Sequence, residues 1–194
     1  MRRLAFAVIF CAVALSAESA RAQTSSATTH WAVAAAEPHY GPSGALLLGF
    51  ATADLNFGIG ARGGYTLPNN IYVGGTLVYH VGTSDEATFL TNTIKSSFHL
   101  LYFGPEGGYD IAAGPVLVRP YVGLGPAIAT GSVSNCLQGA SCGEMSNSAT
   151  NFSFWIGGTV LYPIANFVVG GDLRVLLVSD HNSVGILATG GMIF

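Results

Sequence analysis

The chain has 194 residues, of which 50% are apolar and only 9% charged, and its formal net charge is −3. Soluble domains carry about 25% charged residues, so an ordinary water-facing surface is not expected, and the absence of a basic block argues against nucleic acid as a partner. No run of 18 consecutive apolar residues occurs, which excludes a membrane-spanning helix.

Arg2 and Arg3 precede a twelve-residue apolar core at 4–15, and Ala20-Arg21-Ala22 forms an A-x-A site before Gln23. These are the three parts of a secretory signal peptide. Residues 1–22 are therefore read as a cleaved leader, with Cys11 inside its apolar core. The mature chain has about 170 residues, one domain's length. An exported chain this apolar, with no spanning helix, must distribute its apolar residues by alternation.

Residues 23–42 are weakly patterned and read as a periplasmic lead-in or the start of a first strand. Residues 43–52, SGALLLGFAT, are the first strand candidate, with Ala53-Asp54 as its turn. From there the alternation is clean. Over 55–67, Leu55, Phe57, Ile59, Ala61, Tyr65 and Leu67 oppose Asn56, Gly58, Gly60, Arg62 and Gly64. Over 71–81, Ile71, Val73, Leu77, Tyr79 and Val81 oppose Tyr72, Gly74, Thr76, Val78 and His80. The strand at 93–110 sets Leu101, Phe103, Pro105 and Tyr109 against Tyr102, Gly104, Glu106 and Gly108. The strand at 116–130 sets Val118, Pro120, Val122, Leu124, Pro126 and Ile128 against Arg119, Tyr121, Gly123 and Gly125. Prolines lack the N–H that a ladder needs, so bulges or kinks are expected near them. At 150–162, Phe152, Phe154, Ile156, Val160 and Tyr162 oppose Trp155, Gly157 and Thr159. The clearest strand is 166–178, where Phe167, Val169, Leu173, Val175 and Leu177 oppose Asp172 and Arg174. Residues 183–194 close the chain with Val184, Ile186, Met192 and Phe194 on the apolar side.

Successive side chains of a strand point to opposite faces. Every strand above therefore has one apolar face and one polar face. Short turns at 67–70, 111–114 and 163–165 fall at one end, and longer loops at 82–92, 131–149 and 179–182 at the other. Bacterial outer-membrane barrels combine an even strand count with short periplasmic turns and longer outer loops. The fold class expected is all-β, an eight-stranded antiparallel up-and-down transmembrane β-barrel over 43–194. Its apolar faces would meet lipid. Tyr65, Tyr109, Tyr162, Phe167 and Phe194 would form an aromatic girdle at the short-turn end, and Tyr79 and Phe152 one at the other. Arg62, Glu106, Arg119, Asp172 and Arg174 would form a paired charge network in the lumen, since a buried charge without a partner costs several kcal/mol. An eight-stranded interior is just wide enough for side chains, so a plugged lumen is expected before a pore. Cys136 and Cys142, six apart in a polar Gly/Ser/Asn segment, suit a disulfide closing a small loop in an oxidising compartment. No His is near them, and no metal or cofactor is expected.

The chain resembles the small eight-stranded outer-membrane β-barrel family, similar to the barrel domains of OmpA-type and OmpX-type proteins. The resemblance rests on the leader, the alternation and the terminal Phe194. It implies location in the outer membrane of a Gram-negative bacterium, contact with membrane lipid and lipopolysaccharide, and a monomeric barrel without enzymatic activity. It also implies that Phe194 is the signal by which the outer-membrane assembly machinery recognises the last strand. The functional expectation is a structural or surface-interaction role. The alternatives are a narrow porin-like channel for small solutes, or a lipid A-modifying enzyme. Lipid A deacylases of this architecture use His-x-Ser with a downstream Glu. Here His181-Asn182-Ser183 has no acid after it and Ser183 falls on the inward phase, while Ser97 and His99 fall on the apolar phase. Two further motifs carry little: GIGARG at 58–63 fits G-x-G-x-x-G without a following helix pattern, and the sequon at Asn151 lies in a strand.

Overall fold

A computed structural model describes residues 40–89, 92–137, 143–179 and 181–194. The expected leader and cleavage site lie outside them, as does Cys142 and with it the expected disulfide. The strands are β1 (Gly41–Ala51), β2 (Asn56–Thr66), β3 (Ile71–Phe89), β4 (Asn92–Tyr109), β5 (Ile111–Ala113), β6 (Val116–Leu137), β7 (Gly143–Ile164), β8 (Phe167–Val178) and β9 (His181–Ile193). All pairings are antiparallel. The sheet runs β4-β3-β2-β1-β9-β8-β7-β6-β5, and β4 pairs with β6 to close it. The short β5 continues the position of β4 after a break at Asp110, so nine segments make an eight-stranded closed barrel.

The alternation decides which way each side chain points. Leu46, Leu48, Phe57, Ile59, Val73, Leu77, Val122, Leu124, Ile156, Val169 and Leu173 are all exposed, whereas Leu47, Arg62, Tyr72, Tyr121, Trp155, Asp172 and Arg174 are all buried. Closure removes every sheet edge within the wall. It also pairs the backbone along the band that hydrocarbon would surround, as a spanning barrel requires, except over one short interval between β4 and β6.

Several boundaries differ from those read in the sequence. Within the segments expected as loops at 82–92 and 131–149, the described residues 82–89, 92, 131–137 and 143–149 are strand. β3 and β4 stay paired out to Phe89↔Asn92, and β6 and β7 out to Asn135↔Gly143. Where their side chains are described, these extensions are exposed or half-buried on both faces, so they show no alternation, and they are strand because the register of the wall simply continues. The turn expected at 111–114 is β5 followed by Gly114-Pro115, with Gly114 at φ +63°. The turn expected at 163–165 is Ala165-Asn166, since β7 runs through Ile164. Leu55 is not on the lipid face. It sits in the β1–β2 turn and folds into the barrel against the buried apolar cluster.

The kink expected near the prolines takes a particular form. The β4–β6 ladder loses its bridges between Tyr102↔Ala127 and Glu106↔Gly123 and resumes in the same register. Pro105 and Pro126 lie in that interval. A Cβ at Gly104 would strike the carbonyl oxygen of Leu124, and one at Gly125 that of Phe103. Two glycines facing across the gap thus let the strands approach where proline has removed a donor. A separate one-residue bulge lies in β3 between Val81 and Ser84.

Candidate functional site

The lumen is layered. Toward the outer strand ends it is apolar: Leu47, Leu55, Val78, Leu100, Ala127, Leu176 and Leu187 pack around Tyr102 and Trp155. His80 joins this layer, its ring parallel to that of Tyr102 at 6.0 Å. Gly58 is small because a Cβ there would lie 2.6 Å from the His80 ring.

The middle layer is ionic. Nη2 of Arg62 donates to Oδ2 of Asp172 at 2.9 Å, and its Nε lies 2.8 Å from Oε1 of Glu106. That second contact is an ion pair without hydrogen-bond alignment, since neither atom finds an aligned partner. Nε of Arg174 donates to Oδ1 of Asp172 at 2.7 Å, and its Nη1 to the Tyr102 hydroxyl at 3.1 Å. Tyr121 and Thr159 donate to the same carboxylate at 2.8 and 2.7 Å. The indole N–H of Trp155 donates to Glu106 at 3.2 Å. The guanidinium of Arg62 also lies 4.3 Å from the centre of the Tyr121 ring. Gly123 makes room for this assembly, because a Cβ there would run into the Trp155 indole.

A second ionic group lies toward the short-turn end. Arg119 donates to both oxygens of Asp110, at 2.5 and 2.8 Å, and reaches Thr66 at 3.3 Å. Its guanidinium stacks 3.8 Å from the centre of the Tyr72 ring. Between the two groups is a cavity of about 30 Å³ touched by Arg62, Thr66, Tyr72, Asp110, Arg119 and Thr189. The hydroxyls of Tyr72 and Thr189 are buried without a protein partner. Leu117, Leu161, Val168 and Ile193 also line it, so it is of mixed polarity, and its size suits a water beside those hydroxyls and little else.

All five charged residues assigned to the lumen from the sequence are therefore inside it, in two separate groups. Asp110 is a sixth that the sequence reading does not include. Its phase matches that of Glu106, which places it inward, but its position next to the 111–114 turn reads as a strand end. With Asp110 included, Arg62, Arg119 and Arg174 face Glu106, Asp110 and Asp172, and the buried formal charges cancel.

On the outer surface, Phe50 and Phe57 meet edge to face at 5.5 Å near the outer rim, with Tyr79 and Phe152 also exposed. At the other rim Tyr65, Tyr109, Tyr162, Phe167 and Phe194 are exposed. Ser183 is buried on the lumen side. Ser97 is hydrogen-bonded to Ser132 at 2.7 Å, and His99 stacks on Tyr79 at 5.9 Å. The G-x-G-x-x-G at 58–63 lies within β2 and Asn151 within β7.

A closed antiparallel barrel with an apolar exterior and a charge-paired interior is the architecture of a membrane-spanning barrel. The chain belongs to the family described as the outer membrane protein beta-barrel domain, whose profile matches residues 8–186. No curated protein sequence matches it. Among solved structures it is similar to a major outer membrane protein from Thermus thermophilus, at 13% identity over 79% of this chain and 99% of that one, with a TM-score of 0.58. Neisserial surface protein A matches at 18% identity, 80% and 97% coverage and a TM-score of 0.49. The attachment invasion locus protein of Yersinia pestis matches at 16%, 80% and 100%, with a TM-score of 0.47.

Proposed function

We propose that this barrel is a sealed outer-membrane scaffold whose outer hairpins make contacts at the cell surface. The observation that carries the reading is the filled lumen. Three arginines and three carboxylates are paired across it, large rings occupy the remaining width, and the cavity between the ionic groups is about 30 Å³. A permeating solute would have to separate buried ion pairs, each costing several kcal/mol to break. This favours a plug over a small-solute channel. A lipid A-modifying activity finds little support: Ser183 faces the lumen, and Ser97 is engaged by Ser132 rather than by His99.

The surface role is supported by the two tall hairpins, β3–β4 and β6–β7, which stand above the rest of the rim. Exported through its leader, the chain would sit as a monomer among membrane lipid and lipopolysaccharide, held at depth by its two aromatic rings. The assembly machinery would engage it at Phe194. A Cys136–Cys142 disulfide would close the tip of the taller hairpin. Recording in planar bilayers tests the seal: no stable open level is expected, and steady conductance at neutral pH would refute it. Shortening the β6–β7 hairpin by deleting 134–146 tests the surface role. The barrel should still fold, with heat-modifiable gel migration, while adhesion of expressing cells to protein-coated surfaces falls.

A further inference from the structure

The turn between β1 and β2 lies at the outer mouth of the barrel. Thr52, Ala53 and Asp54 are exposed there, but Leu55 is only 3% exposed. It belongs to the buried cluster with Leu47, Val78, Leu100, Val178 and Leu187, against which Ala51, Phe98 and Ala129 pack. Every other buried member of that cluster stands on a strand. A wall side chain cannot leave the lumen without breaking a ladder, whereas a side chain on a turn can.

The turn holds this shape against its own backbone preference. Ala53, Asp54 and Asn56 have φ of 57°, 65° and 47°, in the left-handed region that a Cβ disfavours. The turns at 67–70 and 165–166 carry one such non-glycine residue each, Asn70 and Ala165. Positive φ at two successive central residues marks a type I′ turn, for which Asn-Gly is the usual pair; here the pair is Ala53-Asp54. The closing bond from the Leu55 N–H to the carbonyl of Thr52 is long, at 3.5 Å. Clasps on both flanks oppose the strain. The N–H of Thr52 donates to the carbonyl of Val184, and the N–H of Val184 to the Thr52 hydroxyl, both at 2.9 Å. On the other flank the N–H of Thr83 donates to the carbonyl of Asp54 at 3.0 Å. Gly82 permits that approach, since a Cβ there would lie 2.9 Å from the same oxygen. At the foot of the turn the imidazole of His80 is hydrogen-bonded to the backbone of Asn56.

Resting on the sealed-lumen reading above, we infer that this turn is a lid, which carries Leu55 into and out of the mouth while the ionic layer below stays shut. Burying one leucine and holding three left-handed residues are free energies of the same order and opposite sign. The clasps are hydrogen bonds at a water-exposed rim, where each contributes little net. The closed and lifted turns are therefore close in free energy, and passing between them leaves the ladders of the wall intact. Lifting opens a chamber to the cell exterior, walled by Leu47, Val78, Leu100, Val178 and Leu187. The chamber is blind. Tyr102 and Trp155 form its floor, and they are tied to Arg174 and Glu106 of the ionic layer. The outer part of the lumen thus exchanges with the outside, and the inner part does not.

The test follows amide exchange by NMR in the full mature protein in lipid nanodiscs. The N–H groups of Thr83 and Val184 donate to the lid, so they should exchange at a common rate, about tenfold or more above the wall amides of β8. A53N/D54G, which installs the favoured turn pair, should slow both about fivefold. L55A, which removes the buried side chain, should speed both about tenfold. In a C136S/C142S background, the thiol introduced by L187C should react with a charged methanethiosulfonate in the same order, slowest with A53N/D54G and fastest with L55A. L55A should stay non-conducting in planar bilayers. Unrelated exchange rates at Thr83 and Val184, exchange indifferent to either variant, or thiol labelling that does not follow the lid variants would overturn the inference and leave the seal standing. Conductance by L55A would instead refute the seal, and with it the blind chamber.

Discussion

Replacing Asp172 by Asn removes one negative charge from the most connected point of the lumen while keeping the side chain's shape. Four side chains donate to that carboxylate: Arg62, Arg174, Tyr121 and Thr159. In the variant, Arg62 and Arg174 would share Glu106 alone, leaving one uncompensated cation in a layer sealed above by leucine and valine. Breaking a buried ion pair by removing one partner costs about 3–5 kcal/mol, and the flexible arginine stems keep the cost inside that range rather than at the full penalty of an isolated ion. At about 1.4 kcal/mol per tenfold, the folded-to-unfolded ratio should fall by roughly a hundred to several thousand. The assay is urea unfolding of the barrel in lipid bilayers, followed by tryptophan fluorescence and gel mobility. Adding Arg174→Met restores charge balance with a side chain of similar length, and the double variant should regain at least half the loss, since apolar replacements of buried pairs are often near neutral. A loss below about 1 kcal/mol for Asp172→Asn, or a double variant less stable than the single, would refute the charge-balance reasoning.

Three further changes probe other parts of the molecule. Leu46→Arg, at the middle of β1 and exposed on the outer wall, should cost about 2–4 kcal/mol in bilayers; an exposed site on a soluble barrel would tolerate it within about 0.5 kcal/mol. Gly123→Ala should displace the Trp155 indole and destabilise by about 1–3 kcal/mol, with a shifted tryptophan emission as the direct readout. Asp110→Asn should leave Arg119 short of its partner and lower unfolding stability by about 3–5 kcal/mol, whereas Asp54→Asn, in the exposed β1–β2 turn, should change it by less than about 0.5 kcal/mol.

The wall of the barrel was legible because one solvent lies on each side of it. Where lipid faces one side and packed side chains the other, as in β8, polarity must alternate residue by residue, and Asp172 and Arg174 betray the lumen at once. The outer hairpins were not legible. Above the rim the sheet has water on both faces, so nothing in its polarity distinguishes strand from loop; only pairing continued from below makes these segments strands. Leu55 misled for a related reason. Its phase continued that of Phe57, but in the turn the backbone adopts left-handed angles at Ala53, Asp54 and Asn56, and strand phase no longer governs where a side chain points. Asp110 was hidden by the break between β4 and β5, although its phase with Glu106 was there to be read. The division of the lumen charges into two groups depends on which strands lie opposite one another, and alternation along a single strand carries no such information.

The central claim is that the wall presents apolar side chains to lipid and charged ones to its own axis. Nitroxide labels placed singly along β8 in a cysteine-free protein, reconstituted in bilayers, measure this by their collision rate with dissolved oxygen. High accessibility at positions 169, 171, 173, 175 and 177, with low accessibility at 168 and 176, is the expected outcome. A flat profile along the strand, or one with its maxima at the even positions, would contradict the account.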